Sequence, residues 1–329
     1  MTATTTIHHP DAGEHRALQE AVGLFDRSAR GKLALSGDEA PEFLDSLLSN
    51  DVKGLDAGSG CYATLLTHRG RLLADVRVLR TAEGVWLDTE RPGLQALFDA
   101  LTQFRIGYRA ELHKQTLQRG LLSLIGPEAD RLVPAPPAAD EHAHVTEEIA
   151  GIDVLVVRTD VGLDLICPAE QADELRHVLV AAGAVAVGEA TVECLRVERG
   201  RPRFGIDMDE TTMPQEAAIN ERAVSYTKGC YVGQETVARL YWKGKPNRHL
   251  RGLRLSGDAA PGDTLRLGER EVGVLSSVAL SPAHGPIGLA LVRRAAAPGD
   301  VLAVGDGSVT AVVSELPFDG PPSPGDGPV

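Results

Sequence analysis

The chain has 329 residues, a formal net charge of −13, and a composition that is 43% hydrophobic and 24% charged. That length suffices for two or three domains with cores of their own. The acidic balance excludes broad, non-specific attachment to nucleic acid or anionic membrane, while leaving room for a local basic groove. The polar stretch Met1 to Gly13 has no apolar signal core, and no apolar run is long enough to span a bilayer. Four scattered cysteines without a C-x-x-C pair exclude a zinc or iron–sulfur site built from cysteine alone, and no metal is expected. Their rarity suits a reducing compartment, so the expectation is a cytoplasmic protein.

Met1 to Gly13 reads as a loose leader, with a short helix expected from Glu14. Gly31 to Leu35 reads as a strand. Asp38 is the expected cap of a helix with Pro41 in its first turn and Phe43, Leu44, Leu47 and Leu48 on one face. Cys61 to Thr67 and Arg71 to Leu79 predict a hairpin turning at His68-Arg69-Gly70, followed by a short strand over Val85 to Asp88. Leu94, Leu97, Phe98, Leu101 and Phe104 recur at helical spacing. A second round follows: a strand over Leu121 to Ile125, a helical turn over Glu128 to Leu132, a hairpin of Val154 to Arg158 with Leu163 to Cys167, and a helix over Ala169 to Ala182. Pro134 to Glu147, rich in Pro, Ala and acid, reads as an exposed loop. Strand, helix, hairpin, helix thus occurs twice, which predicts an α+β fold of two related antiparallel-sheet modules with helices on one face. After Arg248, short apolar stretches alternate with Pro-Gly-Asp turns at 261–263 and 298–300, the pattern of a small β-barrel. The expected divisions are 1–115, 116–248, a barrel over 249–316 and a disordered tail over 317–329.

Nucleotide, zinc-protease and serine-hydrolase readings lack their motifs: no phosphate loop, no G-x-G-x-x-G after a strand, no H-E-x-x-H and no G-x-S-x-G. Glu141-His142-Ala143-His144 falls in the Pro/Ala-rich loop and reads as solvated sequence rather than a metal pair. Residues 196–203, Arg-Val-Glu-Arg-Gly-Arg-Pro-Arg, end a helix over Ala190 to Arg199 with Gly200 closing it. They are either cations complementing the helix dipole or an anion site around Glu198. Asp207 lies in the acidic loop that follows. Arg239, Lys243, Lys245, Arg248 and Arg251, interleaved with Tyr241 and Trp242, could receive an acidic tail or RNA, or be a solvated interdomain strand. The densest segment is Lys228-Gly-Cys-Tyr-Val-Gly-Gln-Glu235. A lysine beside Cys230 favours thiolate, and the flanking glycines allow close approach. Cys230 has three readings: a small buried hydrophobe, a nucleophile, or a redox or partner-facing thiol. No histidine lies within fifteen residues of it on either side, which weakens the nucleophile.

That segment, running on to Val237-Ala238-Arg239, resembles the signature of the YgfZ family of folate-binding proteins, relatives of the T-protein (aminomethyltransferase) of the glycine cleavage system. Leu48-Ser49-Asn50-Asp51-Val52, Tyr62 to Thr67, Gly70 to Asp75, Arg196 to Gly200, Phe204 to Asp207 and Pro214-Gln215-Glu216 add to the likeness, which runs from about residue 16 to about residue 313. The resemblance implies a three-domain ring around a central site that binds tetrahydrofolate or a one-carbon derivative. It also implies service to iron–sulfur client enzymes, some of them tRNA-modifying, by a monomer. By the same resemblance Glu198 grips the pterin and Asp75 assists one-carbon chemistry. Arg196, Asp207, Lys228, Gly229, Gln234 and Arg239 (with Arg248 as a further tail contact) surround the ligand, and Cys230 acts near the ring opening. The T-protein carries paired aspartates where this chain has Ala74-Asp75, which moves the expectation from aminomethyl transfer towards iron–sulfur maintenance. Aminomethyl transfer and a non-enzymatic RNA-binding module are the alternatives.

Overall fold

The structure, a computed structural model, describes residues 9–318. The first helix, α1 (Ala12–Glu20), begins two residues before Glu14 because the Asp11 carboxylate accepts from the Gly13 and Glu14 amides and caps it. β1 (Gly23–Asp26) follows, then a module of β2 (Gly31–Ser36), α2 (Ala40–Leu47), β3 (Ser59–Leu66), β4 (Leu72–Arg80), β5 (Gly84–Thr89), α3 (Leu94–Phe104) and β6 (Glu111–Lys114). Its sheet runs β3-β4-β5-β2-β6. The hairpin expected at His68-Arg69-Gly70 is present between β3 and β4. Asp38 does not cap α2. Its carboxylate is drawn to Arg109 at 2.9 Å, and Glu39 holds the cap position without a side-chain bond.

The second module comprises β7 (Arg119–Ile125), β8 (His144–Ile149), β9 (Ile152–Thr159), β10 (Gly162–Pro168), α4 (Ala172–Ala181) and β11 (Val185–Ala186). Its sheet order is β8-β9-β10-β7-β1-β11. Setting β3-β4-β5-β2-β6 beside β8-β9-β10-β7-β1 makes the internal repeat plain. The place of β6 is filled in the second sheet by β1, from the start of the chain, so residues 12–26 pack with the second module although they precede the first. The segment 134–147 is not a loop throughout. β8 takes it over from His144, because successive residues from His144 to Ile149 pair along β9.

α5 (Glu189–Glu198), α6 (Asn220–Ala223) and α7 (Gln234–Lys243) lead to the barrel of β12 (Arg248–Leu255), β13 (Thr264–Leu267), β14 (Arg270–Ser281), β15 (Gly285–Arg293), β16 (Val301–Val304) and β17 (Val309–Ser314). The barrel closes in the order β12-β15-β14-β13-β16-β17, leaving no free edge. Each body has its own apolar core. The α+β architecture of two sheet modules and a C-terminal barrel is therefore as the sequence indicates. Of the tail expected to be disordered, residues 319–329 lie outside the described residues. Phe318 is buried, and its amide donates to the Glu198 carbonyl at 2.9 Å.

The two sheets meet through Leu79, Trp86, Leu121, Val157 and Ile166. Beside this apolar seam runs a buried ion network. Arg77 on β4 donates to Asp88 on β5 at 2.7 Å and to Asp164 on β10 at 2.5 Å; Ser123 on β7 donates to the other Asp164 oxygen. Arg30 also binds Asp88, at 3.0 Å. Replacing Arg77 by Ala leaves the buried Asp164 without its guanidinium partner and Asp88 with Arg30 alone. Such a change costs about 3–5 kcal/mol, so chemical denaturation of Arg77→Ala should show a loss of that order, and a loss below about 1 kcal/mol would mean that the network does not join the modules.

Candidate functional site

Between the two sheets and α5 lies a cavity of about 310 Å³. Side chains alternate along a strand, so Asp75 and Arg77 of β4 project from one face, into the cavity wall. Tyr62 on β3 is the cross-strand partner of Arg77, and its hydroxyl donates to Asp75 Oδ2 at 2.8 Å. Asp75 Oδ1 is buried with no partner among the described residues, as are Arg77 Nη2 and His142 Nδ1, which line the same space. Burial raises the pKa of Asp75, against the pull of Arg30. Burial first, and then Asp75, also push the Tyr62 phenol well above its usual range. The wall thus holds a carboxyl group biased towards its neutral form. Glu90 has the opposite character: Arg30 and Arg203 outweigh the cost of burying it and hold it below the usual carboxylate range.

α5 has two buried faces, and they do different things. Glu193 and Arg196, three residues apart, face the cavity. Arg196 donates to Glu193 at 2.9 Å and also to Asp207, Ser277 and the Arg201 carbonyl. Arg203 binds Glu90, Glu189 and Glu193, and Arg201 binds Asp160. Glu198 is five residues on from Glu193, about 140° around the helix, and it points away from the cavity. It meets His15 Nε2 at 3.0 Å, Ser281 Oγ at 2.6 Å and Cys194 Sγ at 3.5 Å. Burial raises its pKa, but the bonds from His15 and Ser281 outweigh this and leave it below the usual value. The carboxylate lying among arginines is therefore Glu193, with Glu90, rather than Glu198. Asp207 is likewise enclosed, accepting from Arg196, the Arg203 amide, Ser276 and Ser277.

The Lys228–Glu235 segment lies apart from the cavity lining. Lys228 does not turn to Cys230. Its ammonium is sunk among the carbonyls of Asp45, Leu48 and Asn50 and pairs with the Asp45 carboxylate at 3.1 Å, and burial lowers its pKa. It therefore anchors the segment to α2 and the loop after it. Cys230 is exposed, unlike the buried Cys167 and Cys194. Gly233, at φ +85, opens α7 where a side chain would meet the Thr67 carbonyl at 2.5 Å, which presses the helix onto the β3–β4 turn. Gly229 has open space around it, and Gln234 reaches back to its carbonyl at 3.5 Å. Arg239 is exposed; on the same helix Tyr241 stacks on Tyr226, with Trp242 edge-on. Arg248 is held by Glu216, and Arg251 by Glu315.

The structure thus places Asp75 and Arg196 on the cavity, with Glu198 and Asp207 behind it and Cys230 and its neighbours elsewhere. Sequence reasoning missed Tyr62, Arg77, Glu193 and His142. Two charges at alternate positions in the otherwise apolar run Leu72 to Leu79 were the available signal for Arg77. Glu141-His142-Ala143-His144 is not solvated: both histidines are buried, and burial lowers the pKa of His142 to about 4.

The raised pKa of Asp75 fixes a pH effect. A carboxyl whose folded pKa lies above its unfolded value favours the fold while protonated, and that contribution is lost as pH rises through the folded pKa. Asp75→Asn, which stays neutral, should melt with the wild type at about pH 3, below the pKa of the unfolded carboxyl, and above it at pH 8 by on the order of 2 °C. Thermal melts across that range check this, and a lower melting temperature for the variant at pH 8 would contradict it.

Residues 3–228 match the family model described as the GCVT N-terminal domain. An aminomethyltransferase of Rubrobacter xylanophilus is 30% identical over 317 residues, covering 93% of this chain and 85% of the relative. A putative chloroplastic transferase of Arabidopsis thaliana is 27% identical, covering 92% and 72%. The crystal structure of the glycine cleavage system aminomethyltransferase T from Bartonella henselae superposes with a TM-score of 0.84 at 26% identity, over 93% of this chain and 89% of that one. With this fold, and with a family model matched over more than half its length, the chain belongs to the GCVT aminomethyltransferase-related family.

Proposed function

We propose that this chain binds tetrahydrofolate or a one-carbon derivative in the central cavity, and that it is a YgfZ-type accessory protein for iron–sulfur enzymes. The observation that carries the binding site is the gathering of unpartnered buried polar atoms, Asp75 Oδ1 and Arg77 Nη2 among them, on one wall. Buried polar groups are rarely left unbonded, and a pterin edge, with its lactam and amino groups, supplies what they lack. The cavity, about 310 Å³, takes the heterocycle, while Arg91 and Arg199 at its rim face an acidic tail. The client-enzyme part of the reading is supported by the Lys228–Glu235 segment, whose anchored lysine and exposed Cys230 make a fixed surface with an accessible thiol.

A second reading, aminomethyl transfer to tetrahydrofolate, is favoured by Asp75 and by the names of the relatives. A buried carboxyl hydrogen-bonded to Tyr62 is placed to hold or hand over a proton at a reacting nitrogen. Here Tyr62 orients Asp75, and burial raises its pKa against the pull of Arg30.

Calorimetric titration with 5-formyltetrahydrofolate should show saturable binding, weakened in Glu193→Ala; no binding by the wild type would end the folate reading. Formation of methylenetetrahydrofolate from an aminomethylated carrier protein separates the two functions. If transfer operates, Asp75→Asn should slow it by about 10²–10⁴-fold, whereas an accessory protein is inert in that assay. In cells, Cys230→Ala should lower the activity of iron–sulfur enzymes without altering folate affinity; unchanged activity would remove the client role.

A further inference from the structure

We propose that His142 is a ligand contact of the central cavity, its neutral imidazole hydrogen-bonding the polar edge of a bound planar heterocycle. This rests on the folate reading and extends it to a residue outside the motifs that suggested that reading.

Four observations converge. First, the imidazole is buried on the cavity wall yet makes no hydrogen bond through either ring nitrogen among the described residues. Nδ1 is sealed and unpartnered, so the nitrogen left for a ligand is Nε2, which lies 3.8 Å from Glu141 Oε1, beyond bonding distance. That Glu141 oxygen is instead taken by Arg222. His144, two residues on, shows the ordinary fate of a buried histidine: its Nδ1 donates to the His142 carbonyl at 3.0 Å.

Second, the backbone is bent to place this ring. His142 has φ +73, a conformation that non-glycine residues seldom adopt. It is held there by its amide on the Arg158 carbonyl, by its own carbonyl accepting from His144 Nδ1, and by the Ala143 amide on the Asp140 carbonyl. Conformations of this kind persist where the surroundings over-determine them, and they gather at binding sites.

Third, the neighbouring strand is hollowed out for it. A side chain at Gly60 on β3 would begin 3.0 Å from His142 Cβ and 2.5 Å from the Val78 carbonyl oxygen. Fourth, Asp75 and Arg77, each with one buried polar atom that has no partner among the described residues, line the same cavity. A neutral imidazole offers one donor and one acceptor, and burial beside Arg77 and Arg222 keeps it neutral. With a carboxyl and a guanidinium on the same wall, this set suits the alternating donor and acceptor edge of a pyrimidinone ring better than it suits a free anion.

The test is calorimetry with 5-formyltetrahydrofolate on the full chain, read beside the melting temperature. The wild type should bind, and His142→Ala should bind about tenfold more weakly, the size expected when a buried hydrogen bond is lost, at an unchanged melting temperature. His142→Gln or His142→Asn, which restore a donor and an acceptor, should recover most of the affinity. In protein labelled with ¹⁵N-histidine, the ring resonances missing from His142→Gln should shift in the wild type when the ligand is added, a response a purely structural histidine would not give. Wild-type-like affinity in His142→Ala, or ring resonances that stay put while the wild type binds, would overturn the contact and leave the folate reading standing. Absence of binding by the wild type would remove both. If His142→Ala does not fold, the ¹⁵N shift together with His142→Gln decides the matter.

Discussion

Arg77 is the residue on which most else depends. It is a buried cation between Asp88 of its own sheet and Asp164 of the other. Burying three charges together is tolerable only when each is paired and hydrogen-bonded, so the two sheets are fixed in angle and distance by the need to keep that pairing. The cavity exists because of it. Apolar contact at Leu79, Trp86 and Ile166 closes the seam on one side, while the ion network holds the sheets at a set spacing on the other. Polar atoms that the network does not satisfy are left buried along the same wall.

α5 divides the labour of the molecule along its two faces. One face, with Glu193 and Arg196, completes the cavity and ties to Asp207. The other, with Cys194 and Glu198, gathers α1 through His15 and the barrel through Ser281. Three separate bodies therefore converge on one helix of ten residues. Because every oxygen of Glu198 is engaged there, its carboxylate acts as a junction between bodies, and the residue that resemblance singled out for the ligand is the one that the packing uses.

Much of the fold was legible because hydrophobic periodicity reports which face of an element is buried. The β3–β4 hairpin, α3 and the barrel all carry that signal strongly. β1 was not legible: four residues, Gly23 to Asp26, whose partners lie about a hundred positions away, have no local pattern to betray them. The site was less legible than the fold. Asp75 could be placed by motif, but Tyr62, Glu193 and His142 gain their meaning only from what stands opposite them in space. Lys228 is the clearest case of proximity in sequence misleading. Two positions from Cys230, it spends its charge on carbonyls of the first module.

The crossing of β1 into the second sheet carries a consequence for how the chain is made. Residues 31–114 hold every strand of the first sheet, so that sheet can close as soon as it is synthesised. α1 and β1, made earlier, must wait with Leu18, Val22 and Leu24 uncovered until β7 appears. These two elements are thus housed only after the whole first module has been made, and a chaperone that meets this protein during synthesis would find their apolar surface exposed.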